Sequence, residues 1–340
     1  MIPNLTAIKT TFGKVLLNKM TLNRILKLIL KPIIFVGFPF TFLAAVWLKL
    51  IRKVGISFLD EKIFMQVGML PVIDQYYEPL INPKKHLVKS LRDDRELPGI
   101  DLNTTEQLDL LAKFNYNDEL LKFPVEKKAD GEYYYNNGFY EAADAEYYYS
   151  IIRHFKPKQV IEIGSGYSTL MAQNAFAQNK VEDANYSCKY ACVEPYEQPW
   201  LEKLDVEVIR KRVETIDKTF FRQLEANDIL FIDSTHMIRP QGDVLFEYLE
   251  ILPILKPGVI IQIHDIHMPK DYLSDWIYEH RFWNEQYLLE AFLTFNNKFK
   301  IIGSLNYLTH HHYKEFAAKN PIFSTQPGRE PGAFWMIKTA

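Results

Sequence analysis

The chain contains little cysteine and no excess of charge of either sign. Cys188 and Cys192 are the two cysteines among 340 residues, which argues against a disulfide framework and against a structural zinc site. The 40 basic and 42 acidic residues leave a formal net charge of −2, so no field of one sign would attract nucleic acid. These features predict a protein of a reducing compartment without a nucleic-acid partner.

The chain also lacks an uncharged apolar run long enough to cross a membrane as one straight helix. Residues 33–48 carry no charge, but their length corresponds to about 24 Å of helix, against a hydrocarbon core of about 30 Å. Gly37 and Pro39 lie near the middle and favour a kink, so a hairpin that enters and leaves one leaflet is one interpretation. A core helix packed on the main domain is the other. Basic residues on both sides favour attachment of residues 27–53 to the cytoplasmic face of a membrane.

Composition and turn signals divide the chain into three expected regions. Residues 1–59 form the basic and apolar N-terminal segment, expected to be a membrane anchor or re-entrant hairpin, and residues 60–130 form an irregular linker with short helices. One of these helices is predicted from Thr104, where a cap-like start precedes apolar residues at helical spacing. Residues 131–340 are expected to form the main domain.

Short apolar runs alternate with helical patterns after residue 145. The runs predict buried strands at residues 159–164, 190–195, 206–210, 228–233 and 258–265. Alternation of this kind implies an α/β, doubly wound, mostly parallel sheet, in which ligands bind beyond the carboxyl ends of the strands. The tail differs, because the strand-like runs at 298–308 and 332–339 have no long helix between them. We expect these last two runs to form an antiparallel edge pair.

The glycine turn in "VIEIGSGYST" follows the first predicted strand. A dinucleotide fingerprint requires a third glycine where Thr169 stands. Glu162, two residues before Gly164, would repel a pyrophosphate but could accept hydrogen bonds from a cationic amino-acid group. Glu194 ends the second strand, where a carboxylate can bind both hydroxyls of a ribose. The pattern favours a positively charged adenosine cofactor without phosphates.

These residues, with "DILFIDSTH" and "LKPGVIIQIHD", resemble those of class I S-adenosylmethionine-dependent methyltransferases. The closest likeness is to the bacterial small-molecule branch often encoded with polysaccharide or natural-product genes, and it covers about residues 130–340. The resemblance implies a Rossmann-like seven-stranded sheet whose last strand is antiparallel.

The resemblance also implies a set of cofactor contacts. The glycine turn would pass under the cofactor, Glu162 would face its amino-acid end, Glu194 would hold the ribose, and Asp217 or Glu214 would lie near the adenine. The residues expected at the cofactor are Glu162, Gly164, Ser165, Gly166, Glu194, Asp217 and Asp233.

Candidate catalytic residues follow the fourth and fifth predicted strands. Asp233 and His236 in "DSTH", and His264, Asp265 and His267 in "HDIH", should meet above the methyl group. His264 is the first choice for the base, with Asp265 and His236 beside it, because an imidazole can accept a hydroxyl proton at neutral pH. The same carboxylates could hold a divalent cation, but "IHD" offers one carboxylate where a magnesium site commonly has two, so a metal-free site is favoured.

Two further motifs leave alternatives open. The tyrosine-rich residues 132–155 could line an acceptor pocket, although their helical spacing favours packing against the sheet. Three successive histidines at 310–312 point in different directions on any regular element, so a solvated loop is favoured over a metal site.

We therefore expect O-methylation of a small hydroxylated acceptor, such as a sugar or a glycan intermediate. The alternative is a membrane-associated scaffold or binding protein that keeps the methyltransferase-like fold without turnover. A nicotinamide-dependent oxidoreductase is disfavoured by Glu162 and by the absent third glycine.

Overall fold

The computed structural model describes residues 26–340, which divide into two compact units between Asn82 and Pro83. Residues 1–25 of the expected N-terminal segment lie outside the described part. The first unit contains helices α1 (Leu26–Val36), α2 (Phe38–Val54) and α3 (Phe58–Val67).

Helices α1 and α2 meet at Gly37 with a bend of 74°. Pro39 lies in the first turn of α2, where its missing N–H leaves a carbonyl of the preceding helix without its usual partner. Within the described residues, no one helix is both long and apolar enough to cross a membrane, whereas this bent pair meets the requirement by length and composition. No side chain of α2 is buried.

Helix α3 lies in the region expected to be a linker. Ser57 and Asp60 form a reciprocal capping box at its start, and Gly68 ends it in the left-handed conformation. Local capping therefore defines this helix at both ends.

The second unit contains a seven-stranded sheet in the order β3-β2-β1-β4-β5-β7-β6. Strands β1 to β5 pair in parallel, and β7 pairs antiparallel with both β5 and β6. The strands are β1 (Gln159–Ile163), β2 (Lys189–Val193), β3 (Glu207–Ile209), β4 (Ile229–Ile232), β5 (Ile260–Ile263), β6 (Phe299–Ser304) and β7 (Phe334–Lys338). The predicted doubly wound sheet with an antiparallel end is confirmed.

Helices cover both faces of this sheet and connect its strands. The α-helices of the second unit are α4 (Pro83–His86), α5 (Thr104–Ala112), α6 (Asn117–Leu120), α7 (Asp144–Phe155), α8 (Tyr167–Glu182), α9 (Asp243–Phe246), α10 (Ser274–Tyr278), α11 (Glu285–Leu293), α12 (Leu305–His311) and α13 (Tyr313–Lys319). Helix α9 continues as a π-helical turn, Glu247–Ile251, and a 3-10 turn, Leu252–Ile254. Pro253 lies in this 3-10 turn and cannot donate a backbone hydrogen bond, and the helical segment ends one residue later.

The second unit includes residues before the boundary that was expected near residue 130. Leu111 and Phe114 are buried in the same apolar cluster as Tyr147 and Trp335, and the rings of Phe114 and Tyr147 pack edge to face at 5.3 Å. The boundary lies between residues 82 and 83 and not near residue 130, because residues 104–120 pack into the core on one face of the sheet.

Candidate active site

The glycine turn joins β1 to α8 at the carboxyl edge of the sheet. Gly164 has a φ of +76°, and a Cβ there would lie 1.9 Å from the carbonyl oxygen of Asp233. Only glycine allows the ends of β1 and β4 to approach so closely. A Cβ on Gly166 would meet no atom within 4 Å, so open space lies beside the start of α8. The Ser165 hydroxyl is buried and has no hydrogen-bond partner among residues 26–340.

Glu162 supports this turn from below. Its side chain is fully buried and accepts hydrogen bonds from the hydroxyls of Ser168, Thr169 and Tyr190, the last two at 2.6 Å. Burial raises the pKa of Glu162 to about 7, although the three hydroxyl groups oppose the rise. The carboxylate thus lies beneath the turn and holds it through these hydrogen bonds, and its expected contact with the amino-acid end of the cofactor stays a prediction.

Glu194 lies where the cofactor ribose was expected. It lines a cavity of about 490 Å³ together with Gly164 and Asp233. Its Oε1 accepts hydrogen bonds from the backbone N–H groups of Tyr196 and Glu197 at 2.9 and 2.8 Å, while its Oε2 has no partner within the described chain. One oxygen is thus fixed and the other is available to a ligand. The volume is in the range of small-molecule sites, about 300–1,000 Å³.

The two residues expected near the adenine, Glu214 and Asp217, have different surroundings. Glu214 lines this cavity, whereas Asp217 does not. Asp217 is exposed and caps a 3-10 helix, where its Oδ1 accepts a hydrogen bond from Thr219 N at 2.8 Å. Of the two, Glu214 is the residue that could reach a ligand in this cavity, and its contact with the adenine stays a prediction.

The predicted catalytic residues do meet, at the ends of β4 and β5. His236 Nε2 lies 3.3 Å from Asp233 Oδ1 and 3.5 Å from Asp265 Oδ2. His264 Nδ1 lies 3.5 Å from Asp233 Oδ1 and 3.4 Å from Asp265 Oδ1. Asp144, at the start of α7, adds a third carboxylate 3.8 Å from His264 Nε2.

A simple histidine base needs a pKa near that of a free imidazole, and the charges in this cluster shift the pKa values of both histidines away from it. Burial alone would lower the pKa of His264, but Asp265 and Asp233 outweigh it and raise that pKa well above its usual value. The same opposition raises the pKa of His236. Burial would raise the pKa of Asp233, yet the two imidazoles hold it below its usual range. The carboxylates of this cluster therefore favour the protonated form of both imidazoles.

Glu285 supports the cluster from behind. This fully buried residue begins α11, and its Oε2 lies 2.8 Å from His236 Nδ1. Glu285 was not predicted from the sequence, because an acidic residue in the first turn of a helix is common without any role in a site. With Nδ1 occupied, Nε2 of His236 is directed toward Asp233 and Asp265.

Asp233, His236 and Asp265 could also hold a divalent cation. One ligand atom from each lies within 4.8 Å of the others. A histidine whose second nitrogen contacts a carboxylate is common at metal sites, and two carboxylates with one imidazole suit a hard or borderline divalent ion. From the sequence, the carboxylates of Asp233 and Asp265 were considered as ligands of a cation, and His236 was not recognised as the third one.

A second cavity of about 860 Å³ opens on the other side of the cluster. His264 and Asp265 lie in its wall, together with Asp144, Arg92 and Trp276. Of the tyrosine-rich segment, Tyr133, Tyr135, Tyr140, Tyr147, Tyr148 and Tyr149 are buried in the core. The helix-packing interpretation holds for Tyr147, Tyr148 and Tyr149, which lie on α7, whereas the other three are buried in the non-helical stretch before it. The contribution of the segment to the cavity comes from residues such as Phe139 and Asp144.

The three successive histidines form the end of α12 and the residue after it. His310 Nε2 lies 2.9 Å from Glu330 Oε2, and His311 Nε2 lies 2.7 Å from Asp94 Oδ2. They point to different partners, and no candidate metal-binding group found within residues 26–340 includes them.

The chain is similar in sequence to a methyltransferase family and to an archaeal protein. A family model described as a methyltransferase domain matches residues 161–266, from β1 to the residues after β5. An uncharacterised protein of Archaeoglobus fulgidus is 33% identical over 189 residues, which cover 51% of this chain and 82% of that protein. The chain belongs to this methyltransferase family. The resemblance to the S-adenosylmethionine-dependent class is thereby confirmed.

Solved structures that align with this methyltransferase include two O-methyltransferases. One is TomG from Streptomyces achromogenes, involved in tomaymycin synthesis and in complex with S-adenosylmethionine, at 11% identity and a TM-score of 0.33, covering 68% of this chain and 90% of that chain. The other is the Bacillus cereus enzyme in complex with S-adenosylhomocysteine, at 12% identity and a TM-score of 0.29, covering 69% and 91%. Similarities of this size support no inference about the acceptor.

Proposed function

We propose that the protein transfers the methyl group of S-adenosylmethionine to a hydroxyl group of a sugar or glycan intermediate. One observation carries the proposal: the cavity lined by Glu194 and the cavity lined by His264 meet at a single polar cluster, where Asp233 and His264 are 3.5 Å apart. Two substrates in these cavities would bring their reacting groups together there, and such alignment is the main requirement of methyl transfer.

The chain's own residues fit the cofactor at one end of this cleft. Gly166 leaves open space at the start of α8, and Glu194 Oε2 is available for the ribose hydroxyls. The sulfonium group of the cofactor supplies the methyl group. The carboxylates of Asp233 and Asp265 are placed to attract that positive charge.

Proton removal from the acceptor is assigned to the His264–Asp265 pair as a unit. Both residues line the acceptor cavity, and the buried position of Asp265 raises the pKa of its carboxyl group despite the opposing histidines. A carboxylate with a raised pKa is a stronger base than an ordinary one. His264, which holds a proton in this arrangement, would then orient the acceptor hydroxyl rather than act as the base alone.

A divalent cation at Asp233, His236 and Asp265 is the second candidate for activating the hydroxyl. If it binds there, Mg²⁺ should raise the Tm of the full chain by a few degrees. The Asp265→Asn variant should lose this increase, while Asp217→Asn, which alters an exposed carboxylate outside both cavities, should keep it. An equal effect on all three proteins would show that the cation does not use this cluster.

The polarity of the acceptor cavity supports a sugar over an apolar acceptor. Its wall includes the side chains of Asn136, Asp144, Ser274 and Gln326, which can bind several hydroxyl groups. The alternative is a scaffold that binds the cofactor without turnover. Incubation with labelled S-adenosylmethionine and alkyl glycosides separates them: His264→Ala or Asp265→Ala should abolish transfer while cofactor binding persists, and a scaffold shows no transfer in the wild type.

We further propose that α1 and α2 attach the protein to the cytoplasmic face of a membrane. Apolar side chains are exposed along both helices, among them Phe35, Leu43 and Trp47. Lys31 and Lys53 are among the exposed basic residues that would contact anionic headgroups on either side.

Flotation of the full chain with phosphatidylglycerol vesicles tests the attachment. Leu43→Asp should abolish flotation, because it places a charge in the apolar face of α2. Val181→Asp, at a site of α8 that is 78% exposed, serves as the control and should float as the wild type does. A wild-type protein that stays at the bottom of the gradient contradicts the attachment.

A further inference from the structure

The guanidinium groups in the wall of the acceptor cavity are already paired with carboxylates of the same wall. Arg92 Nη2 donates to Glu330 Oε2 at 2.7 Å, and Arg329 Nη1 donates to Glu141. No lysine lines this cavity within the described chain. The wall therefore has no free arginine or lysine with which to bind an anionic group of an acceptor.

The histidines of the wall do not supply that charge either. His264 is surrounded by Asp233, Asp265 and Asp144. His267 is 1% exposed and packs against the rings of Tyr272 and Trp276, so it presents no exposed charge to the cavity. A carboxylate or phosphate placed in this cavity would lose hydration and gain no counter-charge, which is costly in a partly buried site.

A carboxylate is available in the same wall. Asp275, in the first turn of α10, lines the cavity, and its side chain makes no hydrogen bond or ion pair within residues 26–340. Trp276 follows it and also lines the cavity. The Trp276 ring already packs against the Arg281 guanidinium, 5.0 Å from its centroid, so the Asp275 carboxylate is the group in this part of the wall that an ammonium group could bind.

A separate observation indicates that a ligand completes this wall. His267 is 1% exposed, lies in the wall, and its Nδ1 has no hydrogen-bond partner in the described part of the chain. Buried polar atoms without a partner are uncommon and cost free energy, and a polar group of a bound acceptor would remove that cost after a small movement of the ring.

We propose that the acceptor is an amine-bearing sugar, with its ammonium group at Asp275, and that sugars bearing a carboxylate or phosphate are excluded. This inference rests on the proposed function, since it names the class of sugar within it. Neutral sugars should be intermediate, because they lose the contact with Asp275 but bring no uncompensated charge.

The test compares three acceptors that differ in one group: octyl glucosaminide, octyl glucoside and octyl glucuronide. With the full chain, S-adenosylmethionine and a pH at which the amine is protonated, kcat/KM should fall in that order, with at least tenfold between the first and the last. Asp275→Asn should raise the KM for the glucosaminide about tenfold without a matching fall in kcat. Glu315→Gln, in the first turn of α13 and outside the wall, should leave the order and the KM unchanged.

The outcomes separate this inference from the function beneath it. Transfer to all three acceptors at similar rates, or fastest transfer to the glucuronide, overturns the charge selection and leaves the methyltransferase function standing. A protein that binds S-adenosylhomocysteine but methylates none of the three overturns the sugar acceptor and this inference with it. An unchanged KM in Asp275→Asn overturns the assigned position of the amine.

Discussion

His236 Nδ1 lies 2.8 Å from Glu285 Oε2, and this contact joins the loop after β4 to the start of α11. The backbone reinforces it, because Asn284 N and Glu285 N both donate to the His236 carbonyl oxygen, at 3.0 and 3.2 Å. His236 adopts a φ of +60°, a conformation that few non-glycine residues occupy without such support. Glu285 is therefore a positioning residue, which acts on the site through His236.

Replacing Glu285 with glutamine should lower kcat by about 10- to 100-fold, the usual effect of losing a supporting carboxylate behind a functional histidine. The KM for the cofactor should change little, because Glu285 lines neither cavity. Steady-state kinetics with S-adenosylmethionine as the varied substrate measures this separation of kcat from KM.

Glu290→Gln is the matched control on the same helix. Glu290 is also a buried carboxylate, but it bonds Arg95 and has no contact with the cluster. Its replacement should lower stability without the fall in kcat of the folded enzyme. If both variants lose kcat equally, the role of Glu285 is only to keep α11 folded.

The two glycines of the turn should respond differently to alanine. Gly164→Ala places a methyl group 1.9 Å from the carbonyl oxygen of Asp233 at a φ of +76°, so we expect a loss of several kcal/mol of unfolding free energy or no folded protein. Gly166→Ala meets no atom within 4 Å and should fold normally, yet weaken S-adenosylhomocysteine binding by filling the open space. Thermal unfolding and calorimetric titration measure the two effects. Normal cofactor binding by Gly166→Ala would show that the cofactor does not pass over this residue.

Stability should fall as pH rises, in part because of Glu162. Its pKa is about 7 in the folded protein and lies near 4.5 when unperturbed, so between these values the folded state holds a proton that the unfolded chain has released. The free energy of unfolding therefore falls by about 2 kcal/mol from about pH 5.5 to about pH 8 through this group. Glu146, whose pKa burial also raises to about 7, contributes in the same window.

Denaturant unfolding at the two pH values checks this dependence. Glu162→Gln should make the decline shallower, whereas Glu207→Gln, on the exposed end of β3, should leave it unchanged. A decline of the same size in Glu162→Gln and in the wild type would mean that Glu162 is ionised in the folded state across this range.

Much of the sheet could be predicted because its strands are buried on both faces. The apolar run at residues 228–233 contains the observed strand, Ile229–Ile232, and extends one residue beyond it at each end. The antiparallel end was predictable as well, since the tail has no long crossover helix between its two strand-like runs. Local composition was a poorer guide to residues 104–120, whose place in the core depends on contacts with α7 that no local pattern encodes.

The site was predictable in position and less so in role. The carboxyl ends of parallel strands brought Asp233, His264 and Asp265 together as expected. The direction of a side chain and the charge around it are tertiary properties, so Glu162 was expected in the cleft and His264 was expected to be a free base. Glu285 was missed for the same reason, because it reaches the cluster from a helix that follows β5 by some twenty residues.

Calorimetric titration of the wild type, Glu194→Ala and Asp217→Ala with S-adenosylhomocysteine tests the central claim most directly. We expect micromolar binding by the wild type. In Glu194→Ala, which lacks the carboxylate with its unpaired Oε2, binding should weaken at least tenfold, about 1.4 kcal/mol. Asp217→Ala should bind as the wild type does, because Asp217 lies outside the cofactor cavity. No binding by the folded wild type, or equal affinity in Glu194→Ala, would contradict the assignment of this cavity to the cofactor.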